Sequence, residues 1–434
     1  MKPIKVGLLG IGTVGGGTAA VLKRNAAEIT RRAGCSIELT EVATRTISRA
    51  EGVVDSNVKV SADLESVVNN PEVDIVVELI GGTSLAKDLM LKAIDNGKHV
   101  VTANKALIAT YGNEIFARAR EKNVMIAFEG AVAGGVPIIK AIREALSANR
   151  IEWAAGIING TSNFILTEMR EKGASFADVL KEAQRLGYAE SDPTFDIEGN
   201  DAAHKLTILS ALAFGIPFQY EKAYIEGISK LDAADIKYAE ELGYRIKLLG
   251  ITRRTEKGIE LRVHPTLIPE KRLIANVNGV MNAVLVKGDA VGATMYYGPG
   301  AGSEPTASAV VADIVDVARL LTADPQHRVP LSAFQPDMLS NDPILPIEEV
   351  VSSYYLRMQV ADQAGVMAEI TGILAQNSIS IEALLQKEAQ GGLAEIVILS
   401  HLAVEKQVNA AIAQIEALSA SRGKVVKLRM ESLG

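Results

Sequence analysis

The chain has 434 residues, 48% hydrophobic and 22% charged, with a formal net charge of -7. That balance is globular, with room for about three domains, and a negative chain with no basic stripe excludes nucleic acid as a main partner. A lone cysteine, Cys35, rules out a disulfide framework and fits a reducing, cytoplasmic setting, and no apolar run reaches the roughly 18 residues of a membrane span.

Residues 4–10, IKVGLLG, read as a short strand buried in a parallel sheet, with no leader pattern before it. Gly10, Gly12 and Gly15 follow as G-x-G-x-x-G, and 18–34 reads as a helix stopped at Gly34. Strand, glycine turn and helix in this order suit a dinucleotide. Gly10 permits the tight turn, Gly12 lets a pyrophosphate approach, and Gly15 lets the helix pack on the strand. The second strand, Ile37 to Arg45, ends without the acid that would hold a ribose 2′-hydroxyl. Arg45 stands there with Arg49 near it. They are either partners for a 2′-phosphate, favouring NADP(H) over NAD(H), or solvated surface arginines. Further strands at 73–81, 99–102 and 124–128, with a helix at 85–97, continue the βα rhythm of a doubly wound sheet. Its ligand crevice would lie at the strand carboxyl ends, where GGTS (81–84) and ANK (103–105) fall.

Beyond about 135 the pattern changes to strands of an antiparallel sheet: IEWAAGIING, RIKLLGITRR, GIELRVHPTLI and AVLVKGDAVG. Between them lies GYAESDPTFDIEGNDAAHKLTILSALAFG, rich in acids: Glu190, Asp192, Asp196, Glu198 and Asp201. Asn200 reads as the cap of a helix beginning near Asp201, and Lys205 shares a helix face with Asp201. Such pairs are commonly solvated. Here the helix runs on as Ile208, Leu209 and Leu212 and is apolar all round, which predicts burial. A buried lysine needs a partner and suits proton transfer. His204 reads as a packed or capping histidine. The loop YYGPGAGSEP precedes an apolar helix; its backbone amides face an anion or a cofactor, or it is simply a structural turn.

Residues 335–346 carry three prolines and read as a linker. After them the pattern is βαββαβ, a ferredoxin-like arrangement. Its loop 362–365 leads into a helix and offers a place for a small ligand; the alternative is a purely structural oligomerisation module.

Five dispersed histidines and one cysteine make no zinc-ligand spacing. There is no G-x-S-x-G elbow, no phosphate-binding P-loop and no thiol placed for a thioester mechanism. What is left is metal-free hydride transfer assisted by lysines and carboxylates.

These residues bring a family into view. GLLGIGTVG, TANKALIA (102–109), GYAESDPTFDIEGNDAAHKL, GPGAGSEPTASAV and DQAGVMAEITGILAQNSISI together resemble monofunctional bacterial homoserine dehydrogenase with a C-terminal ACT domain. GGTSLA at 81–86 departs from the family's G-G-x-E-P-A. The resemblance implies an α/β fold. Its parts would be a Rossmann-type sheet over 1–135 completed by 300–330, a central α+β catalytic and dimerisation domain over 136–300, a linker at 335–350 and an ACT domain over 352–432. It implies NAD(P)-dependent interconversion of L-aspartate 4-semialdehyde and L-homoserine, on the route to threonine, methionine and isoleucine. Lys205 would be the proton donor, Lys105 would lie beside nicotinamide and substrate, and Asp201, Glu190 and Asp196 would serve the substrate. Gly12, Thr13, Val14, Arg45, Gly187 and Gly302 would touch the cofactor, with Gly10 and Gly15 shaping the turn. A structural Na⁺ would sit at Glu129 and the carbonyls of Val132, Gly134 and Val136. L-threonine would inhibit through the ACT domain of a homodimer or homotetramer. Two competing readings are a non-catalytic sensor of a dinucleotide and an amino acid, and the same enzyme acting on another small amino-acid aldehyde.

Overall fold

The computed structural model describes residues 2–434, with side chains at all of these but 388–390. In chain order the first elements are β1 (Ile4–Leu9), α1 (Thr13–Arg24), α2 (Ala26–Ala33), β2 (Ile37–Ala43), β3 (Lys59–Ser61) and α3 (Leu64–Asn69). Next come β4 (Ile75–Glu78), α4 (Ser84–Asp95), β5 (His99–Thr102), α5 (Lys105–Glu121), β6 (Ile126–Ala127) and α6 (Ile138–Lys140). The middle holds β7 (Ile151–Ile157), α7 (Gly160–Lys172), α8 (Phe176–Arg185), α9 (Thr194–Ile197), α10 (Asn200–Phe214), β8 (Tyr224–Ile225) and α11 (Ala233–Glu241). Then follow β9 (Tyr244–Thr255), β10 (Gly258–Pro269), β11 (Met281–Gly288), β12 (Gly292–Pro299) and α12 (Ser303–Leu320). The chain closes with β13 (Val351–Ala361), α13 (Val366–Gln376), β14 (Ile381–Gln390), β15 (Leu393–Ser400), β16 (Ala403–Val404), α14 (Glu405–Glu416) and β17 (Ser421–Met430).

These elements form two compact units. The first comprises 1–160, 201–223 and 280–342; the second comprises 161–200, 224–279 and 343–434. The stretch 136–300 is therefore shared between them.

In the first unit the sheet order β3–β2–β1–β4–β5–β6 is all parallel, with its order reversing between β1 and β4. That is the switch point at which open α/β sheets take their ligands. The central strands β1, β4 and β5 are largely buried, and α12 returns from far along the sequence to complete the core through Ala307, Val310 and Ile314. The glycine turn divides its labour as the motif requires. Gly10 has φ +94°, and a Cβ on Gly15 would stand 2.1 Å from the Gly10 carbonyl oxygen. A Cβ on Gly12 would meet nothing within 4 Å, so that edge is open. The helix expected over 18–34 starts earlier, at Thr13, and breaks at Asn25 into α1 and α2. Also in this unit, β7, β11 and β12 form an antiparallel ladder.

In the second unit β14–β15–β13–β17 form the βαββαβ sheet, with α13 and α14 packed on Leu356, Ile396 and Ile398. The sheet does not end there. β17 pairs in parallel with β10 through Thr266 and Leu267, and β10 forms a long antiparallel hairpin with β9. The proline-rich segment is pinned as well: Ile259 N donates to Pro343 O at 2.8 Å and Leu345 N to Ile259 O at 2.8 Å. β10 reads in the sequence as apolar alternating with polar, yet both faces are buried.

Lys247 of β9 is 2% exposed. Its Nζ donates to Val277 O at 2.6 Å and to the side-chain oxygens of Asn163 and Asn278 at 3.2 Å each. Burial among neutral acceptors, with Arg170 and Arg245 adding repulsion, lowers its pKa to about 7. Between about 7 and the ordinary 10.5 the unfolded chain therefore binds the extra proton, so stability rises with pH across that window. Chemical denaturation of wild type and Lys247→Met from pH 6 to 10 checks this. The wild type gains on the order of 4 kcal/mol relative to the variant as pH rises.

Candidate active site

The site is built on the carboxyl edge of the parallel sheet. β4 ends in Glu78, which is fully buried and was not singled out in the sequence. Its carboxylate accepts from Ile80 N at 2.9 Å, Gly81 N at 3.2 Å and Thr102 Oγ1 at 2.7 Å. One acid thus shapes the turn after β4 and ties it to the end of β5. Burial raises its pKa against the pull of these hydrogen bonds. Asn104 continues the link, giving Nδ2 to Gly82 O at 2.7 Å and capping α5 by accepting from Leu107 N at 3.1 Å. The departure at 81–86 is therefore carried on backbone held from both sides.

Lys105 follows as the first residue of α5 and lies 3.1 Å from Asp201 Oδ1. Asp201 Oδ2 accepts from Lys205 Nζ at 2.6 Å and from Asn159 Nδ2 at 2.8 Å. Lys205 Nζ also donates to Ile158 O at 2.8 Å. Lys205 is 9% exposed and Asp201 4%. Every residue of α10 from Asp201 to Phe214 is buried, as its uniform apolarity predicts. The helix starts at Asn200 itself, so Asn200 is its first residue rather than a preceding cap. Burial alone would push the Asp201 carboxyl up. The Lys205 and Lys105 charges and the hydrogen bonds from Lys205 and Asn159 outweigh it and hold the pKa well below the usual carboxylate range. His204 stacks on Tyr220 with ring centroids 4.1 Å apart, and burial lowers its pKa to about 4, so at neutral pH it is a packed, neutral ring.

The loop before α12 joins this edge. Gly302 has φ +126° at the helix start, and Ser303 Oγ donates to Thr13 O at 2.8 Å. Gly17 leaves room for Ser303: a Cβ there would stand 2.5 Å from its Oγ. The Gly302 loop and the Gly10–Gly15 turn thus lie side by side. Arg45 is exposed just past β2 and makes no hydrogen bond or ion pair among the described residues. The one acid late in β2, Glu41, is committed to Lys59, Ser66 and Asn70.

Glu129 follows β6. Its two carboxylate oxygens accept from Ile139 N and Lys140 N, each at 2.9 Å, and its own N–H donates to the buried Asp313 at 2.7 Å. The following loop turns through Ala133 and Gly134, both at positive φ, and Gly135 N donates to Pro299 O at 3.0 Å. Glu129 and the carbonyls of Val132, Gly134 and Val136 lie on this one loop. Burial raises the Glu129 carboxyl and, with the Glu129 charge, pushes Asp313 up to about 8.

Gly187, Glu190 and Asp196 belong to the second unit. Gly187, at φ +78°, ends α8, and Glu190 is exposed. Asp196 on α9 is half-buried, within 3.5 Å of Thr161 Oγ1. The sequence reading did not single out Asn159 or the Ile158 carbonyl. The only signal for them is a polar loop, NGTSN, directly after the buried strand β7.

A parallel nucleotide-binding sheet with an open glycine turn, and a lysine–carboxylate–lysine cluster at its carboxyl edge, define an NAD(P)-dependent oxidoreductase acting on a CH–OH group. Residues 10–129 match the family model described as "Homoserine dehydrogenase, NAD binding domain", 137–315 match "Homoserine dehydrogenase" and 354–420 match "ACT domain". The homoserine dehydrogenase of Pseudomonas aeruginosa is 64% identical and that of Neisseria gonorrhoeae 62% identical, each over 100% of both chains. A homoserine dehydrogenase structure from Thiobacillus denitrificans superposes with a TM-score of 0.96 at 68% identity, over 100% of this chain and 99% of that one. A hyperthermophilic archaeal homoserine dehydrogenase in complex with NADPH superposes with a TM-score of 0.62 at 27% identity, over 73% of this chain and 98% of that one. The chain belongs to the homoserine dehydrogenase family, in the form that carries a C-terminal ACT domain. It interconverts L-aspartate 4-semialdehyde and L-homoserine with NAD(P)(H), and the reading as a non-catalytic sensor falls away.

Asp201→Asn would leave two lysine ammoniums beside a neutral amide at a buried site. Because one partner of a buried ionic cluster is removed, a loss of about 3–5 kcal/mol is expected. Equilibrium urea unfolding at pH 7 measures it.

Proposed function

We propose that Lys205 is the proton donor to the aldehyde oxygen of L-aspartate 4-semialdehyde and, in reverse, takes the proton of the homoserine hydroxyl. The supporting observation is a buried ammonium held by Asp201 and the Ile158 carbonyl at the carboxyl edge of the nucleotide-binding sheet. Asp201 keeps Lys205 charged and oriented, and Asn159 keeps Asp201 in place. Lys105, bound to the other carboxylate oxygen, brings a second positive charge to the same spot and suits either the nascent alkoxide or the substrate carboxylate. Glu190 and Asp196 offer anions for the substrate ammonium. Bound NAD(P)H supplies the hydride.

The cofactor reading rests on Gly12, whose edge is open, on Thr13 and Val14 at the start of α1, on Gly15, which lets α1 pack close to the turn, and on Gly10, Gly187 and Gly302, which take up positive φ. A preference for NADP(H) rests on Arg45, exposed past β2 where no acid is free to take a ribose hydroxyl. Glu129 with the Val132, Gly134 and Val136 carbonyls is a donor set suited to a hard monovalent cation such as Na⁺. The buried negative charge of Glu129 beside Asp313 supports a cation there. For the ACT domain the reading is feedback by L-threonine at the exposed loop 362–365, where Gly365, at φ +97°, opens α13. The assembly is a homodimer or homotetramer working in the cytoplasm; among the described residues no helix is long and apolar enough to cross a membrane.

Lys205→Ala is expected to lower kcat for homoserine oxidation by roughly 10²–10⁴-fold, the scale of a lost general base, with cofactor affinity retained. Steady-state NADPH absorbance and cofactor fluorescence titration read the two quantities, and wild-type turnover in the variant refutes the role. L-Threonine titrated into the wild type is expected to lower turnover and raise the melting temperature. A flat response in both removes the effector reading.

A further inference from the structure

The second unit buries a set of charges that the chemistry above does not use. They stand on β17, at the start of α14 and just after β8. Arg429 of β17 is 1% exposed, and Glu405 at the start of α14 is also 1% exposed. Glu405 receives Arg429 Nε at 2.8 Å, Arg429 Nη2 at 2.5 Å, Tyr354 OH at 2.9 Å and Lys427 Nζ at 2.5 Å. The guanidinium is thus clamped from the ACT side. Its remaining edge points out of that domain: Nη1 donates to Glu226 Oε2 at 2.8 Å and Nη2 to Tyr224 OH at 3.0 Å, while the same Tyr224 hydroxyl donates to Glu226 Oε2 at 2.8 Å.

Glu226 is followed by a backbone junction with no slack. Glu226 N donates to Val263 O, and Ile228 N donates to Ile197 O, each at 2.8 Å. Between them, a Cβ on Gly227 would lie 2.4 Å from Ile197 O and 2.5 Å from Glu198 Cα. The chain from Glu226 to Ile228 is therefore laid directly against 197–199, the end of the acidic segment that holds Asp196 and leads into α10. A purely stabilising role explains little of this. A buried ion cluster contributes little net stability compared with apolar packing, because desolvation offsets its attraction.

We propose that Arg429 is a positioning residue: fixed by Glu405 in the ACT domain, it holds Glu226 and thereby the acidic segment 194–199, so the ACT domain sets the pose of residues that receive the substrate. This rests on the reading of Asp196 as a substrate residue. The experiment separates the two ideas. Glu226→Gln keeps the volume and removes the charge that Arg429 grips, at a side chain that is 33% exposed; Arg429→Met removes the grip itself. In Glu226→Gln the KM for L-homoserine rises about five-fold or more while the KM for NADP⁺ stays within about two-fold. Amide hydrogen exchange across 190–200 speeds up about ten-fold, with exchange in β1 and β4 unchanged. The double variant is no worse in homoserine KM than Arg429→Met alone, the signature of one shared interaction. Unchanged exchange across 190–200 overturns the proposal, and so do the two KM values rising in parallel. Should Arg429→Met fail to fold, Glu226→Gln carries the test by itself. Faster exchange across 190–200 with an unchanged homoserine KM would uphold the positioning role and overturn the reading of Asp196 as a substrate residue.

Discussion

A carboxylate removed from water between two ammonium groups is the interaction on which the rest of the candidate site's structure depends. Asp201 is nearly inaccessible, and an isolated carboxylate there would take up a proton. Lys205 and Lys105 prevent this, and Asp201 in turn gives Lys205 an ionic partner inside an otherwise apolar helix. The cluster holds together only because distant stretches of chain meet. α10 supplies two members, the start of α5 a third, and the loop after β7 an amide and a carbonyl. The parallel sheet fixes where α5 begins, since Thr102 and Asn104 are tied to Glu78 and Gly82 across the strand ends.

That arrangement also explains why so much of the backbone near the crevice is glycine. At Gly10, Gly15 and Gly17 the neighbouring backbone or side chain occupies the space a Cβ needs, whereas at Gly12 the space is empty. Three of the four serve packing and one serves access. The same economy appears in the Gly302 loop, which lets α12 start against α1.

Much of this was legible in the sequence, where a local rule and the tertiary outcome agree. The first strand, its glycine turn and the βαββαβ tail follow from periodicity and turn residues, and Lys205 stood out because its helix has no polar face on which to lie. The unread parts have a common cause. Glu78 looks like the polar end of a strand, Asn159 like one residue of a polar loop, and Glu260, Arg262 and His264 like the solvent face of β10. In each case the polar group is buried by an element far away in sequence. Arg262 is 1% exposed, with Glu260 and Glu431 paired to its guanidinium, and His264 beside it is held neutral by burial and by the Arg429 and Arg262 charges. Alternation tells which residues share a face; it does not tell what covers that face.

The pairing of β17 with β10 carries one last consequence. The regulatory module is not a bead on a string, since its final strand is stitched edge to edge into the hairpin of the neighbouring fold. Trimming the gene at the proline-rich segment would strip a partner from β10, baring amide hydrogens and a row of stranded charges to whatever strand came next. Such a shortened chain would be prone to clump. For this architecture, loss of the ACT domain by simple deletion is a costly route, and point changes that leave the seam closed are the more accessible one.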